Sequence, residues 1–71
     1  MKLNDLKIGE SGVITNLEAS ENIKKRFLDI GLIKNTKILK ILESKNMVSY
    51  NIKGASIAIR KSDTKDIEVE K

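Results

Sequence analysis

Arg26-Phe27-Leu28-Asp29-Ile30-Gly31-Leu32 is the stretch on which the reading of this chain turns. Ile23, Phe27 and Ile30 fall at i, i+4 and i+7, one face of a 3.6-residue period, so an amphipathic helix ends here. Gly31 stands at C′, where the backbone commonly turns left-handed and a Cβ is penalised. Leu32 is then the C″ residue, placed to fold back onto Phe27 in a Schellman motif. Working backwards, Ser20 supplies an N-cap and Glu21 a carboxylate for the first turn, which sets the helix at Glu21 to Ile30. Leu28 lies off the apolar stripe.

On both sides of this helix the chain has strand character. Leu3 and Leu6 form a lead-in that covers one end of the core, and Glu10-Ser11-Gly12 makes a turn, Gly9 and Gly12 tolerating positive φ. Ser11 to Leu17 alternates, with Val13, Thr15 and Leu17 on one face and Ile14 on the other. After the helix, Lys34-Asn35 turns the chain, Asn being the best non-glycine residue for a left-handed backbone. In Thr36 to Glu43, Ile38, Leu39, Ile41 and Leu42 fit a helical stripe as well as a strand apolar on both faces. The run is short and bracketed by turn residues, which favours a strand. Met47 to Lys53 alternates, Gly54-Ala55 turns, and Ser56 to Arg60 alternates again with Ile57 and Ile59 inward. Ser62 caps a single helical turn through Asp66, and Ile67-Glu68-Val69 is a last short strand. The expected fold is therefore mainly β: a small, partly open, antiparallel five-stranded barrel, with one α-helix after the first strand and a helical turn before the last.

Residues 1–71 are read as one domain, near the lower limit for a self-sufficient core. Without cysteine, neither disulfides nor thiolate metal sites are available, so packing alone must stabilise it. No apolar run approaches a membrane span and no signal segment follows Met1, so the expectation is a soluble cytoplasmic chain without direct membrane insertion. The net charge of +4 invites a nucleic-acid partner, but the lysines are spread along the chain with Asp and Glu between them. Lys24-Lys25-Arg26 reads as a solvated helix flank, and no nucleic acid is expected.

Catalysis is not expected either, because His and Cys are both absent. Asp63 and Asp66 read as charges complementing a helix dipole rather than as a paired-carboxylate site. No metal site and no cofactor are expected, since imidazole and thiolate are unavailable and no carboxylates have ligand-like spacing. Gly9 and Gly12 lack the Gly-Lys-Ser/Thr that a nucleotide loop needs. With Phe27 assigned to the core, Tyr50 alone cannot build an aromatic groove or a base-stacking platform. What remains is a binding or regulatory module working through shape, charge and a strand edge. Arg26 and Arg60 stand out against twelve lysines as candidates for fixed bidentate contacts, with a partner or with Asp29 or Glu10.

Three motifs in order resemble the FeoA family. They are Leu3-x-x-Leu6-x-x-Gly9-x-x-Gly12-x-Ile14, the Arg26 to Leu32 stretch, and Gly54-x-x-Ile57-Ala58-Ile59-Arg60 followed by Ile67-x-Val69. This chain has Asn35 where the family usually has Gly, and Thr64 for a common Ala, a small change if that side chain is half exposed. The resemblance implies an SH3-like barrel and a role in bacterial ferrous iron uptake. It further implies a cytoplasmic partner of the membrane transporter FeoB, whose cytosolic part contains a GTP-binding domain. The family is often described as associated with transition metal ions.

The expected function is thus a non-enzymatic accessory protein that docks on the cytosolic region of FeoB and is recruited by it to the membrane's inner face. Arg26 and Leu28, with Lys24, Lys25 and Arg60, are the expected contact residues, unless Leu28 packs on an adjoining loop. Gly9, Gly12, Gly31, Leu32 and Gly54 are expected to be structural. The alternatives are a stand-alone regulatory domain of the iron-dependent repressor type and a small basic RNA-binding barrel. Self-pairing through an exposed strand edge stays open.

Overall fold

Alternation builds five strands in the computed structural model, which describes residues 1–18 and 20–71. They are β1 (Ser11–Leu17), β2 (Lys37–Glu43), β3 (Met47–Ile52), β4 (Ala55–Arg60) and β5 (Ile67–Glu70). Helix α1 (Glu21–Asp29) follows β1, a one-turn helix α2 (Lys61–Thr64) precedes β5, and a 3₁₀ turn (Leu3–Asp5) opens the chain. All neighbours are antiparallel, in the order β4-β3-β2-β1-β5. Register shifts between Ile14 and Asn16 and between Lys40 and Leu42 mark bulges, which bend the strands and let a five-stranded sheet coil. The ambiguous segment is strand, as its turn brackets implied.

Inside the coil lie Ile14, Ile38, Val48, Ile52, Ile67 and Val69, and Leu3 and Leu6 plug one end. Tyr50 is buried with them and its hydroxyl donates to the Leu3 carbonyl at 3.4 Å. Burial, helped by the nearby Glu43 charge, pushes the phenol well above its ordinary range.

The end of α1 has the geometry its sequence dictates. Gly31 takes φ +90°, the Leu32 N–H donates to the Phe27 carbonyl at 2.8 Å, and the Gly31 N–H donates to the Leu28 carbonyl at 3.1 Å. Those two bonds are the Schellman pair, and both Phe27 and Leu32 are buried. Asn35 takes φ +71°, so a left-handed turn is built here without a glycine.

Other expectations need correction. Gly12 is not a turn glycine; it lies buried in β1, where a Cβ would come within 3.1 Å of the Glu70 carbonyl oxygen. Gly9 alone of that pair takes a positive φ. Lys53 and Gly54, rather than Gly54 and Ala55, form the β3–β4 turn, both with positive φ as a two-residue type I′ turn requires. Ser20 occupies the N-cap of α1, but its side chain makes no capping bond. Arg60, not Ser62, is the N-cap of α2. Ile30 is the C-cap of α1 and 37% exposed, because the chain is already leaving the core there. Thr64 is fully buried, its hydroxyl donating to the Lys61 carbonyl at 2.7 Å.

Candidate docking groove

Helix α1 does not close onto the sheet. Between its apolar stripe and β4 runs a groove of about 460 Å³, with Ile23, Phe27 and Ile30 on one wall and Ile57 and Ile59 on the other. Ile57, Ala58, Ile59 and Arg60 all line it. Consecutive strand side chains point to opposite faces, so four in a row can share one groove only if it follows the edge of the strand. That edge of β4 pairs with no strand among the described residues.

Arg26 and Arg60, the two arginines of the chain, meet at this groove. The Arg60 Nε donates to Asp63 Oδ2 at 3.1 Å, which occupies one of its five donors. Arg26 has no carboxylate within ion-pair distance among the described residues. Neither arginine takes the partner offered by sequence, since Glu10 binds the Lys71 ammonium at 2.6 Å and Asp29 joins no ion pair among the described residues.

The five expected contact residues do not form one surface. Lys24 and Leu28 lie on the other flank of α1, beside a shallower depression lined by Leu17, Leu32 and Ile33. Leu28 reaches that neighbourhood but stays 61% exposed, so the adjoining loop does not bury it. Lys25 is exposed and lines neither hollow.

Met47 and Asp63 complete the groove, and sequence reasoning assigned neither to a site. The available signal was indirect: an open five-stranded sheet must expose an edge, but which strand ends the sheet is not written in any local pattern. Lys40 was missed as well. It is 4% exposed, its ammonium pairing with Glu43 and reaching the Asn4 carbonyl and Oδ1, each at 3.3 Å. The other Glu43 oxygen meets Lys61 Nζ at 2.9 Å. Hydrogen bonds from Lys40 and then Lys61 hold the Glu43 carboxyl down at about 2. This network ties β2 to the 3₁₀ turn and to α2, and so fixes the end of the groove where Arg60 and Asp63 sit.

Among the described residues, no three His, Cys, Asp or Glu side chains gather as a metal site would need. No helix is long and apolar enough to cross a membrane.

Residues 1–71 match the FeoA domain. A Campylobacter jejuni protein assigned as Fe(2+) transport protein A is 38% identical over 71 residues, covering 97% of this chain and 96% of that one. An Fe(2+) transport protein A/Fe(2+) transporter FeoB fusion protein of Porphyromonas gingivalis is 29% identical over 72 residues, covering 99% of this chain and 8% of the fusion. Among solved structures, Stenotrophomonas maltophilia FeoA complexed with zinc, described as a procaryotic SH3 domain protein, superposes with a TM-score of 0.85. The match covers 99% of this chain and 89% of that one at 20% identity, so it shows the shared SH3-like fold.

Proposed function

The chain belongs to the FeoA family, and from that premise we propose that it is a non-enzymatic accessory of ferrous iron uptake that docks on the cytosolic region of a FeoB-type transporter. The observation that carries this reading is the fusion relative, in which a domain of this kind is joined to the transporter in one polypeptide. Linking two modules raises their effective concentration, which serves a function only if the two must meet. In this chain the groove between α1 and β4 is the central contact, with Arg26 and Arg60 at its rim. Lys24, Lys25 and Leu28 lie off the groove on the remaining sides of α1 and would add contact only where the partner wraps around the helix. Docking would act by favouring one conformation of the transporter over another, to the extent that affinity differs between them.

The test is calorimetric titration of the chain with the purified cytosolic region of the transporter. Arg26→Gln combined with Arg60→Gln should weaken binding by about tenfold or more without lowering the melting temperature, because both charge-assisted contacts to the partner and the steering they give are lost together. Lys24→Gln, Lys25→Gln and Leu28→Ala together should cost less. A reversed ranking would move the centre of the contact to the other flank of α1, and absence of binding by the wild-type chain would remove the reading. The same titration repeated with RNA separates the basic-barrel alternative, whose affinity should fall steeply with salt.

A further inference from the structure

The two ends of the sheet are treated differently. At β5 the outer edge is occupied: the Val69 N–H donates to the Met1 carbonyl at 2.8 Å, and Lys2 forms a bridge with Glu68. At β4 it is open. In a hairpin closed by a two-residue turn, the residues flanking the turn exchange both backbone hydrogen bonds, and the exchange recurs at every second pair. With Lys53-Gly54 as the turn, Ala55, Ile57 and Ile59 direct their N–H and C=O groups at β3. Ser56 and Ala58 therefore direct theirs away from β3, and no other backbone partner is found for them among the described residues. Ala58 lines the groove, so its unpaired groups border a slot whose opposite wall is the apolar stripe of α1, and those of Ser56 continue the same strand edge beyond it.

We propose that this slot takes an extended segment of a partner protein as a sixth strand, inserted between β4 and α1, with apolar side chains alternating with carboxylates. Backbone pairing to Ser56 and Ala58 would supply the register, as in other strand-addition complexes. Alternate side chains of the added strand then fall against Ile23, Phe27, Ile57 and Ile59, and the intervening ones reach the rim. The rim is cationic. Arg26 has no carboxylate partner among the described residues, and Asp63 engages only the Nε of Arg60. A second copy of β4 is a poor occupant, because Ala55-Ser56-Ile57-Ala58-Ile59-Arg60 carries an arginine and no carboxylate. The inference rests on the docking reading for the source of the segment, and on the edge itself for the mode of binding.

The probe is the capped peptide Glu-Val-Glu-Ile-Glu-Val, titrated into isotopically labelled chain and followed by amide resonances and hydrogen exchange. The expected result is slowed exchange at Ser56 and Ala58, with shifts confined to residues 21–30 and 55–60. A peptide with lysine at each glutamate, and one with N-methyl groups at alternate residues, should each bind at least about tenfold more weakly. Ala58→Pro removes an N–H that β3 does not use, so the variant should keep its fold and lose the peptide. The methylated peptide makes the same test on the unaltered chain should the variant fail to fold. Equal binding of the lysine or methylated peptide would overturn the proposal, as would unprotected Ser56 and Ala58. Protection of both without peptide, rising with protein concentration, would identify a second copy as the occupant and overturn it too. If the peptide fails while the transporter's cytosolic region still binds, strand addition falls and docking stands; if both fail, both fall.

Discussion

Gly31 and Gly12 show how one residue type is required for two unrelated reasons. At Gly31 an added Cβ would meet only the Ile52 Cγ2, at 3.7 Å, so the objection to a side chain is the φ of +90°. Gly31→Ala should therefore destabilise the domain by about 1 kcal/mol or more, measured by chemical denaturation, while its spectrum stays native. At Gly12 the backbone is extended in β1 and the objection is the Glu70 carbonyl at 3.1 Å. The first requirement was legible because helix capping is local. The second was not, because it depends on how closely β5 approaches. Glu43 is the residue with the clearest pH signature. Its carboxyl is lowered from 4.5 to about 2, so it adds stability above pH 4.5 and loses it as pH falls toward 2. Glu43→Gln should flatten the acid limb of the stability profile in that window and lower stability at neutral pH, where Lys40 loses its carboxylate. Glu68 beside Lys2 and Glu10 beside Lys71 are lowered too, so part of the acid limb should remain in the variant.

At the scale of elements, periodicity placed α1 and the alternating strands, while β2, which fits either period, was placed by its shortness and the turn residues on both sides. It could not rank the residues along a stripe. Ile23, Phe27 and Ile30 are equivalent in sequence, yet Phe27 is buried, Ile23 half-buried and Ile30 exposed at the C-cap. Phe27→Ala should accordingly cost about 3–5 kcal/mol in unfolding free energy, enough to unfold a domain this small. Ile30→Ala should cost less, about 1–2 kcal/mol, because more than a third of its surface stays in water. Similar losses at the two positions would mean that α1 lies closer to the sheet than the groove allows. Alternation likewise put Ile57 inward without telling that the strand carrying it ends the sheet, and so Asp63 was read only as a helix-dipole charge and Met47 only as a strand residue.

The whole molecule is an SH3-like sheet coiled around one small core, with no disulfide to support it and one end plugged by Leu3 and Leu6. Leu6→Ala should cost about 2–5 kcal/mol and leave a population unfolded at room temperature, read as a lowered melting midpoint. That barrel was inferred from the number and length of the strands. The strand order β4-β3-β2-β1-β5, which covers the β5 edge and leaves β4 beside α1, follows from long-range pairing that no local pattern records. The proposed docking surface depends on that order, since it brings Arg26 and Arg60 to one groove from opposite parts of the chain. These features converge on the proposed docking through this groove. Its most direct test is an amide-resonance map of the labelled chain on adding the unlabelled cytosolic region of the FeoB-type transporter. The expected result is saturable changes concentrated in residues 21–30 and 55–60. Changes centred instead on the outer sheet face around Val13, Leu39 and Leu42, or no changes at saturating concentration, would contradict it.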